Sequence, residues 1–206
     1  AGDTWTVLVY IAGDNDLEGF GLGDINEMEA IALPDGVNVA VQMDRSPGFS
    51  TLDGDWTDTR RGAIVHDNAT GTVGSVLRSI DETDTGNPDT LRDFINWGAE
   101  NFPAQHYALV IWDHGGGVFD GTSIDRTSNG SFLSLDDVTQ AITGSSLARV
   151  DLLGFDACLM AMVEQAVEAE SYADVMVASQ RTEPGDGWDY EAFLGHLRDH
   201  PDSPTS

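Results

Sequence analysis

His106–Trp112 reads HYALVIW, an unbroken apolar run that stops at Asp113-His114-Gly115-Gly116-Gly117. A strand without polar alternation is covered on both faces, the mark of a parallel sheet held between helices. Working outward, similar runs recur at Thr4–Ala12 (TWTVLVYIA), Val37–Met43 (VNVAVQM), Val150–Phe155 (VDLLGF) and Asp174–Ser179 (DVMVAS). Between them lie helical patterns over Leu17–Ile31, Asp89–Asn101, Ser134–Ile142, Leu159–Tyr172 and Tyr190–Arg198, with Ser134 as an N-cap and Asp137 at its third residue. Ser46–Asp67, rich in Gly, Asp and Thr, reads as a hairpin with short β pieces near Trp56 and Arg61–His66, and Asp53–Asp58 as its solvated part. Alternating strands and helices make this an α/β chain, and no repeat or linker divides residues 1–206, so a single domain is expected.

Composition narrows the partners. The 206 residues carry 9 basic side chains, all Arg, against 26 Asp and 10 Glu, a net charge of −27. Phosphate backbones and anionic lipids would be repelled, so neither nucleic acid nor membrane insertion is expected. No apolar run approaches the roughly 18 residues of a membrane span. Hydrophobic content of 40% rules against disorder. The surplus of Asp with no Lys fits a protein working at high salt, where the Debye length falls to about 3 Å at 1 M and self-repulsion is screened. The plainer reading is an ordinary acidic secreted protein. The opening residues AGDTW are not a signal peptide, so a secreted or cell-surface location implies a leader already removed.

Sites in such sheets form at the carboxyl ends of strands. His114 follows one apolar strand, and Asp156-Ala157-Cys158 follows another. Cys158 is the only cysteine, so no internal disulfide exists. Alone, Cys158 reads as a packing residue and His114 as a loop histidine. Together on neighbouring strand ends they read as a nucleophile and its base. Cys158 is expected to open a helix, whose N–H groups would favour a thiolate and an oxyanion, while the glycines at 115–117 turn their amides inward. Asp156 lies on the same side as Cys158 by strand alternation. It suits the floor of a pocket for a substrate Arg or Lys; the alternative is a helix N-cap.

These segments resemble the clostripain-type cysteine peptidases of the caspase-like clan. The resemblance rests on IWDHGGG and GFDACLMAMVE, supported by WTVLVYIAGDNDLE, DWTDTRR, NPDTLRDFINW and TEPGDGW, and covers nearly the whole chain. It implies a three-layer α/β/α sandwich around a mostly parallel sheet. It also implies a cysteine endopeptidase that cleaves peptide or protein substrates after Arg or Lys through an acyl-enzyme. His114 would be the general base, Cys158 the nucleophile, and the Gly115 and Cys158 N–H groups the oxyanion hole. Asp156 would take the basic P1 side chain, with the segment Ser179–Trp188 lining that cleft, Asp186 a second contact and Trp188 a wall. Self-cleavage between the His and Cys strands is also implied. The polar, flexible-looking stretch around Arg126 suits it better than Arg149, which borders a strand, giving a monomer or a self-cleaved two-chain form. An inactive, peptide-binding relative with the same fold is the competing class. Relatives continue past Pro201–Ser206, so a longer chain is expected.

No cofactor is required for this chemistry. Calcium dependence is implied by the resemblance, but the sequence assigns no ligands. Asp14-x-Asp16-x-Glu18-Gly19 begins like a calcium loop, yet position twelve is Ile25 where an EF-hand has Glu, so it reads as a loop at a strand end. Gly19-x-Gly21-x-Gly23 lacks the dinucleotide spacing. His196 and His200 read as a solvated helix face.

Overall fold

The computed structural model describes residues 4–69 and 71–200. Its strands in chain order are β1 (Trp5–Gly13), β2 (Val37–Arg45), β3 (Arg60–Ala63), β4 (Arg78–Ser79), β5 (His106–Trp112), β6 (Gly115–Gly116), β7 (Gly121–Asp125), β8 (Ser131–Leu133), β9 (Val150–Asp156) and β10 (Ala173–Val177). Its helices are α1 (Glu18–Glu29), α2 (Pro88–Asn101), α3 (Gly117–Asp120), α4 (Leu135–Thr143), α5 (Val163–Ala169) and α6 (Tyr190–Asp199). The large sheet runs β10-β9-β5-β1-β2-β3-β4. From β10 to β2 every pairing is parallel; β3 and β4 add an antiparallel edge.

Alternation along the central strands feeds two cores. Leu8, Tyr10, Leu109, Ile111, Leu153 and Phe155 face α2, α4 and α5. Val7, Val9, Ile11, Ala108, Val110 and Trp112 face α1 and α6. The result is the expected three-layer sandwich. Helix starts follow local chemistry. Asn87 caps α2 through the Asp89 amide with Pro88 in the first turn. Ser134 and Asp137 close a reciprocal capping box on α4.

Three expectations are corrected. Residues 46–67 do not form their own hairpin: β3 instead pairs with β2 and β4, and Trp56 lies outside any strand, its ring between the guanidinium groups of Arg45 (4.5 Å) and Arg60 (4.6 Å). The helix read from Leu159 begins only at Val163. Leu159 sits in the left-handed region (φ 62°), and the Leu159 and Ala161 amides donate to the carbonyls of Arg181 and Ser179, so this stretch runs beside residues 179–181 instead of coiling. The segment around Arg126 is not a loose loop either. It is the turn of a hairpin in a second sheet ordered β6-β7-β8. Pro201–Ser206, where a continuation was expected, lie outside the described residues. No helix among the described residues is long and apolar enough to cross a membrane. His196 and the C-cap residue His200 lie exposed at the end of α6, their rings tilted at 42° with centroids 4.6 Å apart.

Candidate active site

The neighbouring strands β5 and β9 bring two distant segments together. Trp112 pairs with Asp156, and the Asp113 amide donates to the Asp156 carbonyl at 3.2 Å. The two chains therefore leave the sheet side by side, delivering His114 and Cys158 to one edge. Gly115 is what permits the close approach. A Cβ there would overlap the Cys158 carbonyl oxygen and stand 3.0 Å from the Cys158 nitrogen.

His114, Cys158 and Asp156 line one open cleft, together with Leu17, Trp112, Glu183, Pro184, Gly185 and Gly187. Cys158 is half-buried, and its Sγ accepts a hydrogen bond from the Glu183 amide at 3.2 Å. It does not stand at a helix start, so the expected helix-dipole assistance is absent and backbone amides alone remain for it. The His114 imidazole is more than a third exposed, and its Nε2 lies 3.4 Å from Asp16 Oδ1. Asp16 also receives the Arg126 guanidinium. Slight burial opposes the charge on Asp16, but its own backbone amide, His114 and Arg126 hold its carboxyl below the usual range. Asp113, the neighbour of His114, turns away. It accepts from Asn15 Nδ2 at 2.8 Å and from the Ile124 amide, and burial drives its pKa well up.

Asp156 forms the cleft floor, 3% exposed. Its Oδ2 accepts from the Trp188 amide at 3.2 Å and the Tyr190 hydroxyl at 3.0 Å. Burial pushes its pKa to about 7, aided by the charge of Glu183 and resisted by those two donors. Gly187 lets the 184–187 turn wrap this carboxylate: its φ is +61°, and a Cβ would stand 2.9 Å from both Asp156 oxygens. Glu183, within the expected Ser179–Trp188 lining but not singled out there, faces the same cleft, with Oε2 buried and unpartnered. Trp188 reaches Glu183 Oε1 through its indole N–H at 3.4 Å, and its ring packs in the α1–α6 core. Asp186 is exposed and outside the lining, its charge felt by the buried Asp24 and by Glu27. Ser179 stands outside the cleft; its hydroxyl accepts from the Arg181 amide. No local pattern marks Asp16 or Glu183: their partners lie 98 and 27 residues away in sequence.

A buried carboxylate beside a thiol and an imidazole, at the carboxyl edge of a parallel sheet in an α/β/α sandwich, has the architecture of caspase-like cysteine peptidases. The clostripain family model (peptidase family C11) matches residues 9–206, and the chain belongs to that family. It is 30% identical to clostripain of Hathewaya histolytica over 222 residues, covering 94% of this chain and 42% of clostripain. A secreted C11 cysteine protease from Bacteroides thetaiotaomicron, solved with an irreversible peptide inhibitor, is 27% identical with a TM-score of 0.77; the match covers 96% of this chain and 54% of that one. An inactive zymogen C11 protease from Parabacteroides distasonis shares the fold (TM-score 0.75, 24% identity, 96% and 55% covered). The chain thus spans about half the length, or less, of these relatives.

Proposed function

We propose that this chain carries the catalytic half of a secreted cysteine endopeptidase that cuts after Arg or Lys. The observation that carries this reading is the contact of the His114-Gly115 and Cys158 backbones at one strand edge, directly above the buried Asp156. The Cys158 thiol gives its proton to His114, and Sγ attacks the carbonyl that follows the basic residue. The Gly115 and Cys158 amides hold the oxyanion. His114 then returns the proton to the leaving amine, and water releases the acyl-enzyme. Asp16 acts as a positioning residue, favouring the imidazolium that forms. The chemistry calls for no cofactor.

Specificity rests on Asp156 together with Glu183. Burial keeps Asp156 proton-bearing while the cleft is empty of cations, and a guanidinium lets it ionise through paired hydrogen bonds. Trp188 walls the pocket and Asp186 adds negative potential at its rim. Self-cleavage follows Arg126. The −27 charge with no Lys is read as adaptation to high salt.

The test is labelling of Cys158 by a thiol-reactive peptide ending in Arg, across a range of salt and calcium concentrations, with a fluorogenic P1 scan alongside. Labelling with Arg or Lys at P1, lost in His114→Ala, is expected. Failure to label Cys158 under every condition sinks the enzyme reading in favour of an inactive peptide-binding relative.

A further inference from the structure

The loop that supports His114 carries a second group of recognition residues, outside the Asp156 cleft. Asp16 Oδ1 lies 3.4 Å from His114 Nε2 and also accepts from the Arg126 guanidinium. The same guanidinium lies over the Phe49 ring, 5.1 Å from its centroid. A carboxylate on one side and an aromatic face on the other suit a guanidinium in both charge and shape. Phe49 is 45% exposed, and with Asp16, Gly19, Phe20 and Ser50 it lines a surface groove. That groove borders the peptidase cleft. Leu17, next to Asp16, lines the cleft, and the Phe20 ring reaches Gly185, where a Cβ would stand 3.0 Å from it.

An exposed loop needs an anchor to present one ring in a fixed place, and buried groups supply it. Arg45 and Glu18 form an ion pair with no side-chain exposure. Arg45 also donates to the carbonyls of Ser50 (3.0 Å) and Leu52 (3.1 Å), and Glu18 accepts from the Ser50 amide (3.2 Å). Desolvation offsets most of the attraction in a buried pair, so its main effect here is positional. It ties the chain next to Phe49 to Glu18, two residues past Asp16. Phe49 and Asp16 are thus set relative to each other before any ligand arrives. The Arg126 side chain is not fixed in this way. Its pair with Asp16 is half exposed on both sides (50% and 52%), and such a pair favours the bound state by no more than roughly 5-fold. A preorganised site thus holds a side chain that another cation can replace.

We propose, resting on the peptidase reading, that Asp16 and Phe49 form a second subsite, which takes a basic side chain of the substrate on the leaving-group side of the cut. His114 gives its proton to the leaving amine, so a substrate residue held by Asp16, against His114, belongs to the segment that leaves. The favoured substrates carry two basic side chains, one at P1 over Asp156 and one shortly after the cut. Arg126 competes for the second place, and a substrate guanidinium enters by displacing it.

The test uses internally quenched peptides with Arg at P1 and Ala around it. Either Arg or citrulline, its uncharged isostere, stands at P3, P2, P1′, P2′ or P3′, and the bond cut is read by mass. Arg126→Gln, which vacates the place, should prefer Arg over citrulline at one primed position by roughly 5- to 25-fold in kcat/KM, the product of an exposed ion pair and a cation–π contact. With Arg126 present the preference there should not exceed about 3-fold, one guanidinium replacing another. In the Arg126→Gln background, Phe49→Ala and Asp16→Asn should each lower the preference by roughly 2- to 5-fold. Each preference is a ratio within one variant, so lost turnover or stability divides out. The same peptides titrated against Arg126→Gln/Cys158→Ala should show the same ratio in Kd, independent of turnover. Peptides bound with that ratio but left uncut by the Cys158 chain sink the peptidase reading and keep the subsite. Equal cutting, equal binding or no binding of the Arg and citrulline peptides overturns the subsite. A preference confined to P2 or P3 overturns the leaving-group assignment, and an undiminished preference with Arg126 in place overturns its part as occupant.

Discussion

At the scale of single residues, the proposed P1 role of Asp156 turns on its protonation. Its folded pKa, about 7, lies above the roughly 3.9 of an unfolded Asp, so the native state holds the extra proton between those values. The stability this provides is complete below about pH 4 and is lost as pH climbs through about 7. Asp24, raised to about 8 by burial and by Asp156, steepens the same decline. Urea unfolding at pH 5 and pH 8 should show it, and Asp156→Asn should flatten it. Binding a basic P1 needs the ionised form, so kcat/KM for an Arg substrate should rise with pH through about 7. Asp156→Asn should lower it by roughly 30- to 1000-fold, about the 2–4 kcal/mol lost when one member of a buried charge pair is removed. A flat pH profile together with full Asn activity would place the P1 carboxylate elsewhere. Gly115 is the other decisive residue. Ala there must push the Cys158 backbone away, and a displacement near 1 Å costs roughly 100-fold in rate. Gly115→Ala should therefore fold yet lose nearly all turnover, as circular dichroism and steady-state kinetics would show together.

At the scale of elements, continuous apolar strands were legible because burial on both faces leaves no room for polar alternation. The capping box at Ser134 was legible because its chemistry is local. The hairpin β7–β8 was not. Its strands read GTSID and SFL, polar and short, and their pairing is set by contacts with Asp14 and Asp113 rather than by their own pattern. Leu159-Met160-Ala161-Met162 looked helical from its apolar spacing, but carbonyls 18–22 residues away captured its amides. The hairpin bears directly on processing. Arg126 presents an exposed side chain on a turn whose backbone is pinned. Incubation of the purified protein should yield a nick after Arg126 that both Arg126→Gln and Cys158→Ala prevent, read by intact mass. A nick that persists in Cys158→Ala argues against an intramolecular cut.

At the scale of the whole molecule, charge dominates. A net −27 on 206 residues repels itself in dilute buffer, and screening removes that cost. Tm should rise as sodium chloride goes from about 0.1 to several molar; a fall would end the high-salt reading. The sequence by itself determined the layered parallel sheet, the side on which His114, Asp156 and Cys158 emerge, and the sign of the surface, because strand period, burial and net charge are properties of local order and composition. It could not determine that Asp16 meets His114, that Glu183 faces Asp156, that Cys158 lacks a helix behind it, or that Arg126 crosses to Asp16 and Phe49. Those outcomes depend on how segments tens of residues apart are packed, and packing, once the apolar core fixes it, brings like charges together that no local pattern records.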